Sequence, residues 1–211
     1  MKKIDKDINK VFYEDIARPL RKKKDFIILL LETVKLFYIE TTYAESYGKV
    51  TIIIDKMSRV FYEVENKMFS IVFPFGVEKD GEGYRIYDTS LDFEIDSRII
   101  SVMISILNRY ELHGISGEEI FDAYCESMQE DENEILVESA WKVLLRLQSV
   151  ELGYIRYDYD EKNQDEKLHP LNHFDINYST NVTYKIGLRK KIEMEYFISF
   201  VDVKKECVYL C

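Results

Sequence analysis

Apolar residues recur every three or four positions in two stretches of the N-terminal half, which is the spacing of one face of an α-helix. Residues 4–16 follow this pattern and predict a short amphipathic helix that ends before Pro19. Residues 25–47 follow it over a greater length and predict a more deeply buried helix that is closed by Gly48.

The same spacing predicts further helices at residues 99–107, from Ser116 onward, at about 132–148 and at 194–201. Ser116 and Glu119 have the spacing of a capping box, in which each side chain accepts a hydrogen bond from the backbone N–H group of the other residue. We therefore expect one of these helices to begin directly after Ser116.

Alternating apolar and polar residues predict strands between these helices. Residues 70–75 and 84–95 predict two strands, and a glycine-rich turn at 80–83 joins them. Residues 50–54 are β-branched and fit a strand, but they fit equally well a helix that runs on to Met68. The sequence leaves both alternatives open.

The most unusual alternation lies in two short segments, residues 154–160 and 173–178. In each segment the period of a strand sends apolar and aromatic side chains to one side and polar side chains to the other. If the two strands pair as a hairpin, both polar rows lie on one face of the sheet. That face consists of Arg156, Asp158, Asp160, His173, Asp175 and Asn177.

Together these elements predict an α+β fold. Residues 1–110 are expected to form a helical region with a small antiparallel sheet. Residues 111–211 are expected to form a helix–helix–strand–strand unit that a C-terminal helix follows. A chain of 211 residues also suits one compact domain with a self-sufficient core.

The formal net charge of -10 argues against direct binding of nucleic acid, because that affinity comes largely from Lys and Arg at phosphates. Basic runs at residues 18–24 and 185–191 are interpreted as solvated faces or helix-end charges. Three cysteines without a recurrent spacing predict a reducing, cytoplasmic location with neither a disulfide framework nor a zinc site. The longest apolar run, residues 26–31, is too short for a membrane span of about 20 residues.

The polar face of the predicted hairpin offers three kinds of chemistry. His169, His173 and Asp175 are candidate ligands of a divalent metal ion. His173, with Asp158 and Asp160, is a candidate for general acid–base catalysis. Arg156 and Asn177 are candidate binding residues, since a guanidinium group pairs readily with an anion. The simpler interpretation is an exposed sheet face whose opposite charges pair across the strands.

Two residues elsewhere, one indole and one imidazole, are weaker candidates for a functional role. Trp141 lies in the predicted helix at 132–148 and is expected to be either buried or the anchor of a partner protein. His113 lies in a loop, where a capping or packing role is expected.

The order of elements in residues 116–178 resembles a winged helix. The resemblance makes residues 132–148 the recognition helix, 153–160 and 174–178 the wing strands, and 161–168 the wing tip. The recognition helix and the wing tip both carry more acids than bases, whereas a DNA-binding winged helix presents cations to phosphates. The resemblance therefore implies a protein partner rather than DNA.

Three segments, YIRYDYD at 154–160, LHPLNHFDIN at 168–177 and EMEYFISFVD at 193–202, resemble the C-terminal part of a bacterial domain-of-unknown-function family, number 2290 in that series. Members of that family carry a His-Pro-x-x-His core before a helix with Phe-Ile. Here Asp175 stands where another histidine is expected. The resemblance implies an accessory role in the neighbourhood of mobile or phage-defence genes.

The leading hypothesis is a non-enzymatic interaction subunit of a bacterial assembly, concerned with defence against phage or foreign DNA, whose partners are proteins. The first alternative is a metal-dependent hydrolase or nuclease that uses a cluster of carboxylates and imidazoles, and only this alternative requires a divalent metal. That cluster consists of Asp158, Asp160, His169, His173 and Asp175. The second alternative is a winged-helix regulator that binds DNA.

Overall fold

The fold was obtained as a computed structural model, and it describes residues 1–39, 45–81, 83–112, 114, 116–130, 133–207 and 209. The α+β class predicted from the sequence is confirmed. The elements in chain order are β1 (Lys2–Asp7), α1 (Lys10–Ala17), α2 (Lys23–Tyr38), β2 (Lys49–Ile54), β3 (Ser58–Val64), β4 (Lys67–Val72), β5 (Gly76–Asp80), β6 (Gly83–Asp88), β7 (Phe93–Glu94), α3 (Ser97–Arg109), α4 (Gly117–Glu130), α5 (Glu134–Ser149), β8 (Ile155–Tyr159), β9 (Asn172–Ile176), β10 (Tyr184–Leu188) and α6 (Met194–Val201).

These elements form two compact units, and neither unit is continuous in sequence. The first, which we call the sheet unit, lies within Met1–Arg21, Thr42–Phe73 and Leu152–Cys211. The second, the helical unit, lies within Lys22–Thr41 and Pro74–Glu151. This division differs from the boundary near residue 110 that was expected from the sequence.

The sheet unit is built on one antiparallel sheet of seven described strands in the order β1-β2-β3-β4-β8-β9-β10. Strands β4 and β8 are neighbours although about 80 residues separate them along the chain, and Val72 N also donates to the carbonyl of Leu152 over 2.8 Å. The last three strands are therefore added to a meander formed by the first half of the chain.

Helix α6 covers one face of this sheet with a hydrophobic core. Its Phe197 is fully buried and packs edge-on against Phe61 of β3, with ring centroids 6.1 Å apart. Phe174 of β9 and Tyr157 of β8 belong to the same core. Helix α6 was predicted at these residues, and the apolar face of the β8–β9 pair is the surface on which it packs.

The N-terminal segment differs from its prediction, because residues 2–7 form strand β1 rather than part of a helix. Ile4 is the buried residue of this strand and pairs with Ile52 of β2. Helix α1 begins only at Lys10, where the side chain of Asn9 accepts a hydrogen bond from Phe12 N over 2.9 Å. The exposed backbone groups of β2 favour the added strand over another turn of helix.

Residues 49–72 form three strands, which settles the ambiguity between strand and helix in this region. The β-branched run of β2 pairs with both β1 and β3, and buried positions dominate all three strands. Asn66 turns the chain between β3 and β4 with a positive φ of 61°. The N-terminal half thus contributes four strands to the large sheet and is less helical than expected.

The helical unit contains α2, α3, α4, α5 and the three-stranded sheet β5-β6-β7. Helix α2 ends at Tyr38 instead of continuing to residue 47, and residues 40–44 lie outside the described part of the chain. The single strand predicted at 84–95 is two strands, β6 and β7. The capping box before α4 is confirmed, with Ser116 N to Glu119 Oε2 at 2.7 Å and Glu119 N to Ser116 Oγ at 3.2 Å.

The winged-helix arrangement is not confirmed. Its two helices, α4 and α5, belong to the helical unit, whereas its expected wing strands, β8 and β9, are inner strands of the seven-stranded sheet. Among the residues that the structure describes, no helix is long and apolar enough to cross a membrane.

Candidate functional site

The polar face predicted for the β8–β9 hairpin exists in the structure. The two strands pair antiparallel, with Arg156 opposite Asp175 and Asp158 opposite His173. Residues that pair directly across two antiparallel strands point to the same side of the sheet. These four side chains therefore lie on one face, opposite the apolar face that α6 covers.

Two neighbouring strands extend this polar face with lysines. Lys185 of β10 lies opposite Asp175, and Lys67 of β4 lies opposite Asp158. Neither lysine was a sequence-based candidate. The composition of residues 185–191 indicates a basic run, although Tyr184, Ile186 and Leu188 alternate with Lys185 and Gly187 as in a strand.

Arg156 holds the two carboxylates of this face in a network of ion pairs, which we call the Arg156 network. Its Nε donates to Oδ2 of Asp158 over 2.7 Å, and its Nη2 donates to Oδ2 of Asp175. Nζ of Lys185 donates to the other oxygen of Asp175, Oδ1, over 2.7 Å and lies 3.0 Å from Nε2 of His173. Each buried carboxylate is therefore paired, which burial of a charge requires.

Burial distinguishes this face from an ordinary solvated sheet surface. His173 is 0% exposed and Asp175 is 4% exposed. The opposite charges do pair across the strands, as the simpler interpretation expected, but the centre of the network is enclosed. A polar cluster that is enclosed and also lies beside a cleft is a common feature of binding and catalytic sites.

His173 is held in one tautomer by the loop before β9. Its Nδ1 lies 2.7 Å from the carbonyl oxygen of Pro170, and because a carbonyl only accepts, Nδ1 carries the proton. Nε2 then has a lone pair, and it accepts a hydrogen bond from the ammonium group of Lys185. Burial lowers the pKa of His173, and the charge of Lys185 also lowers it, so the imidazole is neutral near pH 7.

Gly187 allows this loop to approach the sheet. It lies opposite His173 on β10, and a Cβ atom at this position would lie 2.9 Å from Cγ of Pro170. Only glycine leaves room for the proline ring at that distance. The position of Pro170, and with it the tautomer of His173, therefore depends on Gly187.

Asp160 and His169 form a separate pair at the edge of the polar face. His169 Nε2 lies 3.0 Å from Oδ2 of Asp160, and Asn163 donates to the same carboxylate. The hydrogen bonds from Asn163 lower the pKa of Asp160. The ring of His169 contacts that of His173 with centroids 4.5 Å apart, but its nitrogen points to Asp160 and not to Asp175.

The remaining sequence-based candidates have different surroundings. Asn177 has a positive φ of 70°, and its Oδ1 accepts a hydrogen bond from Ser179 N. Trp141 is 1% exposed and packs against Tyr110 and Tyr124 in the core of the helical unit, so it presents no surface to a partner. His113 lies outside the described residues.

A cleft of about 840 Å³ opens over the Arg156 network. Arg156, Asp158, Asp175 and Lys185 form part of its lining, and Asn177 contributes to it as well. Its wall also includes Lys67, Tyr154, Tyr178 and Thr180. Burial raises the pKa of the Tyr154 phenol to about 12, so this side chain is a neutral hydroxyl group under ordinary conditions.

Three side chains of the site could together hold a metal ion. One ligand atom each of Asp158, His173 and Asp175 lies within 4.8 Å of the others, and imidazole nitrogen with carboxylate oxygen suits several divalent ions. However, Lys185 already binds the atoms of His173 and Asp175 that would face such an ion. The ammonium group of Lys185 and a metal ion are therefore alternatives at this position.

Comparison of the chain with protein-family models, with curated proteins and with solved structures finds no match. The residues of the cleft and their geometry are thus the basis for a functional conclusion.

Proposed function

We propose that the protein is a non-enzymatic interaction subunit of a bacterial assembly, and that its partner protein occupies the cleft over the Arg156 network. The observation that carries the proposal is the position of Lys185, whose Nζ lies within hydrogen-bond distance of both Asp175 and His173. A general base needs a free lone pair, and Lys185 engages the one at Nε2 of His173. The network suits the rigid floor of a binding site better than a reactive centre.

The walls of the cleft are suited to contact with another protein. They combine the aromatic rings of Tyr154 and Tyr178 with the amide and hydroxyl groups of Asn177 and Thr180. Such mixtures of aromatic and hydrogen-bonding side chains are common in protein interfaces. Val182, which follows the lining residue Thr180 by two positions, is 55% exposed and offers apolar surface to the same partner.

We extend the proposal to a role against phage or foreign DNA. The resemblance of residues 154–160, 168–177 and 193–202 to the bacterial domain-of-unknown-function family supports this extension. It is tested separately from the interaction, by comparing phage plating on host cells that contain the gene with plating on cells from which it has been deleted. Equal plating efficiency for every phage examined would contradict the role.

Co-purification from the native host tests the interaction. Thr180→Trp places a large ring in the cleft, and Thr180 is exposed, so the change leaves the core intact. We expect the partner to accompany the tagged wild-type protein in a fixed ratio and to be lost with Thr180→Trp. Ser101→Trp, at an exposed position of α3, is the matched control and should retain the partner.

Two results would contradict this proposal. A wild-type protein that is monomeric and brings no partner from its native host would exclude an interaction subunit. A partner that remains bound to Thr180→Trp as strongly as to Ser101→Trp would place the docking surface outside the cleft.

A metal-dependent hydrolase or nuclease is the second candidate, and the grouping of Asp158, His173 and Asp175 favours it. A divalent ion at these atoms would polarise a phosphoryl oxygen or activate water. Asp160 and His169 pair with each other and would not belong to that centre. The test is hydrolysis of nucleic acid or a phosphodiester by the purified protein with Mn²⁺, compared with Asp175→Asn. Equal background hydrolysis in both would exclude this candidate.

A DNA-binding regulator depended on the winged helix, and no feature of the described structure supports that arrangement. We therefore do not propose it.

A further inference from the structure

Lys67 is a cation in the wall of the cleft that the Arg156 network does not use. Its Nζ donates to the carbonyl oxygen of Ile16 over 2.7 Å and lies 5.1 Å from the centre of the Phe69 ring. Within the described part of the chain, no carboxylate forms an ion pair with it at 4.0 Å or less. An ammonium group has three N–H bonds, so the bond to Ile16 leaves donor capacity for a ligand in the cleft.

One of the charged strand residues that line the cleft, Lys67, has no ion-pair partner among the described residues. Arg156 and Lys185 are matched by Asp158 and Asp175, and His173 is neutral. Lys67 adds a further positive charge on the same face of the sheet. Lys67 is therefore the cation among these strand residues that has no ion-paired carboxylate, although the whole lining, with Arg21, Glu65 and Asp160, contains four cations and four carboxylates.

The hydrogen bonds of these strand residues point to the same lysine. The carboxylates of Asp158 and Asp175 and the Nε2 atom of His173 already accept hydrogen bonds from cations. The available group is a donor, Lys67. A ligand that satisfies it must bring an acceptor, and an anionic acceptor forms the stronger bond.

We infer that the cleft binds a carboxylate group of the partner protein at Lys67. The inference rests on the proposed function for the source of the carboxylate, which is an acidic side chain or the C-terminus of the partner. The Arg156 network lines the same cleft and holds its own charges in ion pairs.

The charge of the cleft favours a carboxylate over a phosphate. Glu65 and Asp160 also contribute to its lining. A phosphate group with nearly two negative charges would be repelled by these carboxylates more strongly than a singly charged carboxylate.

The lowered pKa of Lys67 is consistent with an ammonium group that lacks a paired anion. Burial lowers the pKa of Lys67 to about 8, and the nearby positive charge of Arg156 lowers it as well, while Asp158 raises it. A bound carboxylate would stabilise the ammonium form and raise the pKa again.

Side-chain NMR of lysine in the purified protein tests the inference. The pKa of Lys67 is measured in acetate, in phosphate and in chloride at equal ionic strength, and Lys67→Arg identifies its resonance. We expect acetate to raise the pKa of Lys67 by about one unit relative to chloride and to exceed the effect of phosphate. Lys142, an exposed residue of the helical unit, is the control and should show no difference.

Peptide probes then identify the source of the carboxylate. A neutral peptide with a free C-terminus is compared with an amidated peptide that contains glutamate. The peptide that raises the pKa of Lys67 more in the wild-type protein shows whether the site prefers a C-terminal or a side-chain carboxylate. Equal pKa values in acetate and chloride would overturn the carboxylate site, and a larger effect of phosphate would overturn the choice of ligand. Because no partner is needed, failure here leaves the co-purification result untouched and is distinguishable from failure of the interaction.

Discussion

Nζ of Lys185 on β10 lies 3.0 Å from Nε2 of His173 on the neighbouring strand β9. The same ammonium group lies 2.7 Å from Oδ1 of Asp175. Lys185 thus places a positive charge where the nearby nitrogen and oxygen atoms would otherwise suit a divalent ion. Our proposal of a binding site rather than a metal centre depends on this relationship, and the first prediction tests it.

Replacement of Lys185 by Met should open the metal position. Asp158, His173 and Asp175 then keep their ligand atoms within reach of one ion, without the competing ammonium group. We expect Lys185→Met to bind about one Zn²⁺ or Mn²⁺ per chain, measured by calorimetric titration, while the wild-type protein binds at least tenfold more weakly. Lys190→Met, at an exposed position beyond β10, should behave as the wild type. Tight binding by the wild-type protein would instead support the hydrolase.

The buried imidazole of His173 should make stability depend on pH. Burial lowers the pKa of this group in the folded state below its ordinary value of 6.5. The unfolded chain then binds the proton more tightly, so the contribution of His173 is fully present above pH 6.5 and is lost as the pH falls below it. We measure the free energy of unfolding in urea at about pH 7.5 and at about pH 5.5. The decrease at the lower pH should be larger for the wild type than for His173→Gln. Equal losses would contradict the buried, neutral imidazole.

The close approach of Pro170 to Gly187 predicts a specific effect of an added methyl group. Gly187→Ala would place Cβ 2.9 Å from Cγ of Pro170 and push the loop away from the sheet. We expect a loss of about 1–3 kcal/mol in the free energy of unfolding, together with a shifted imidazole resonance of His173. Gly117→Ala is the matched control, since no atom lies within 4 Å of its added Cβ and the stability should change little.

Lys67 should lower the stability of the free protein. Its ammonium group is partly removed from water and donates a hydrogen bond to the carbonyl of Ile16. Lys67→Met should therefore raise the free energy of unfolding by about 1–2 kcal/mol near pH 7. The measurement is urea unfolding beside Lys79→Met, an exposed control that should show no change. A clear loss of stability in Lys67→Met would indicate a structural role for this lysine.

Trp141 should act as a core residue of the helical unit. It is 1% exposed, whereas Phe121 of the same unit is 63% exposed. Trp141→Ala should lower the free energy of unfolding by about 3–5 kcal/mol, and Phe121→Ala by less than about 0.5 kcal/mol. Equal free energies of unfolding for the two variants would contradict a core role for Trp141.

The local pattern of the sequence predicted part of this site correctly. Period-two alternation placed Arg156, Asp158, His173 and Asp175 on one face, and the β8–β9 pairing confirms that placement. The capping box of Ser116 and Glu119 and the helix α6 were also correct. These features depend on neighbours within a few residues, and such neighbours are visible in the sequence.

Features that depend on distant neighbours were missed. Strand β1 pairs with β2, and β10 pairs with β9. The local pattern of residues 2–7 or 184–188 is therefore not enough to predict a strand. The winged-helix prediction took four consecutive elements as one unit, whereas β8 pairs with β4 from the first half of the chain. Sequence order did not reveal this pairing, because the alternating pattern of a strand does not indicate which other strand it pairs with.

The sequence by itself determined which side chains of the polar row share a face, since the geometry of a strand alternates its side chains. Only the tertiary structure decided what those side chains do. It brought Lys185 and Lys67 from two other strands to the same face, where one ammonium group engages His173 and Asp175 and the other donates to the carbonyl of Ile16 beside the same cleft. The physical reason is that charge pairing acts through space, over distances of a few ångströms, between residues that are far apart along the chain.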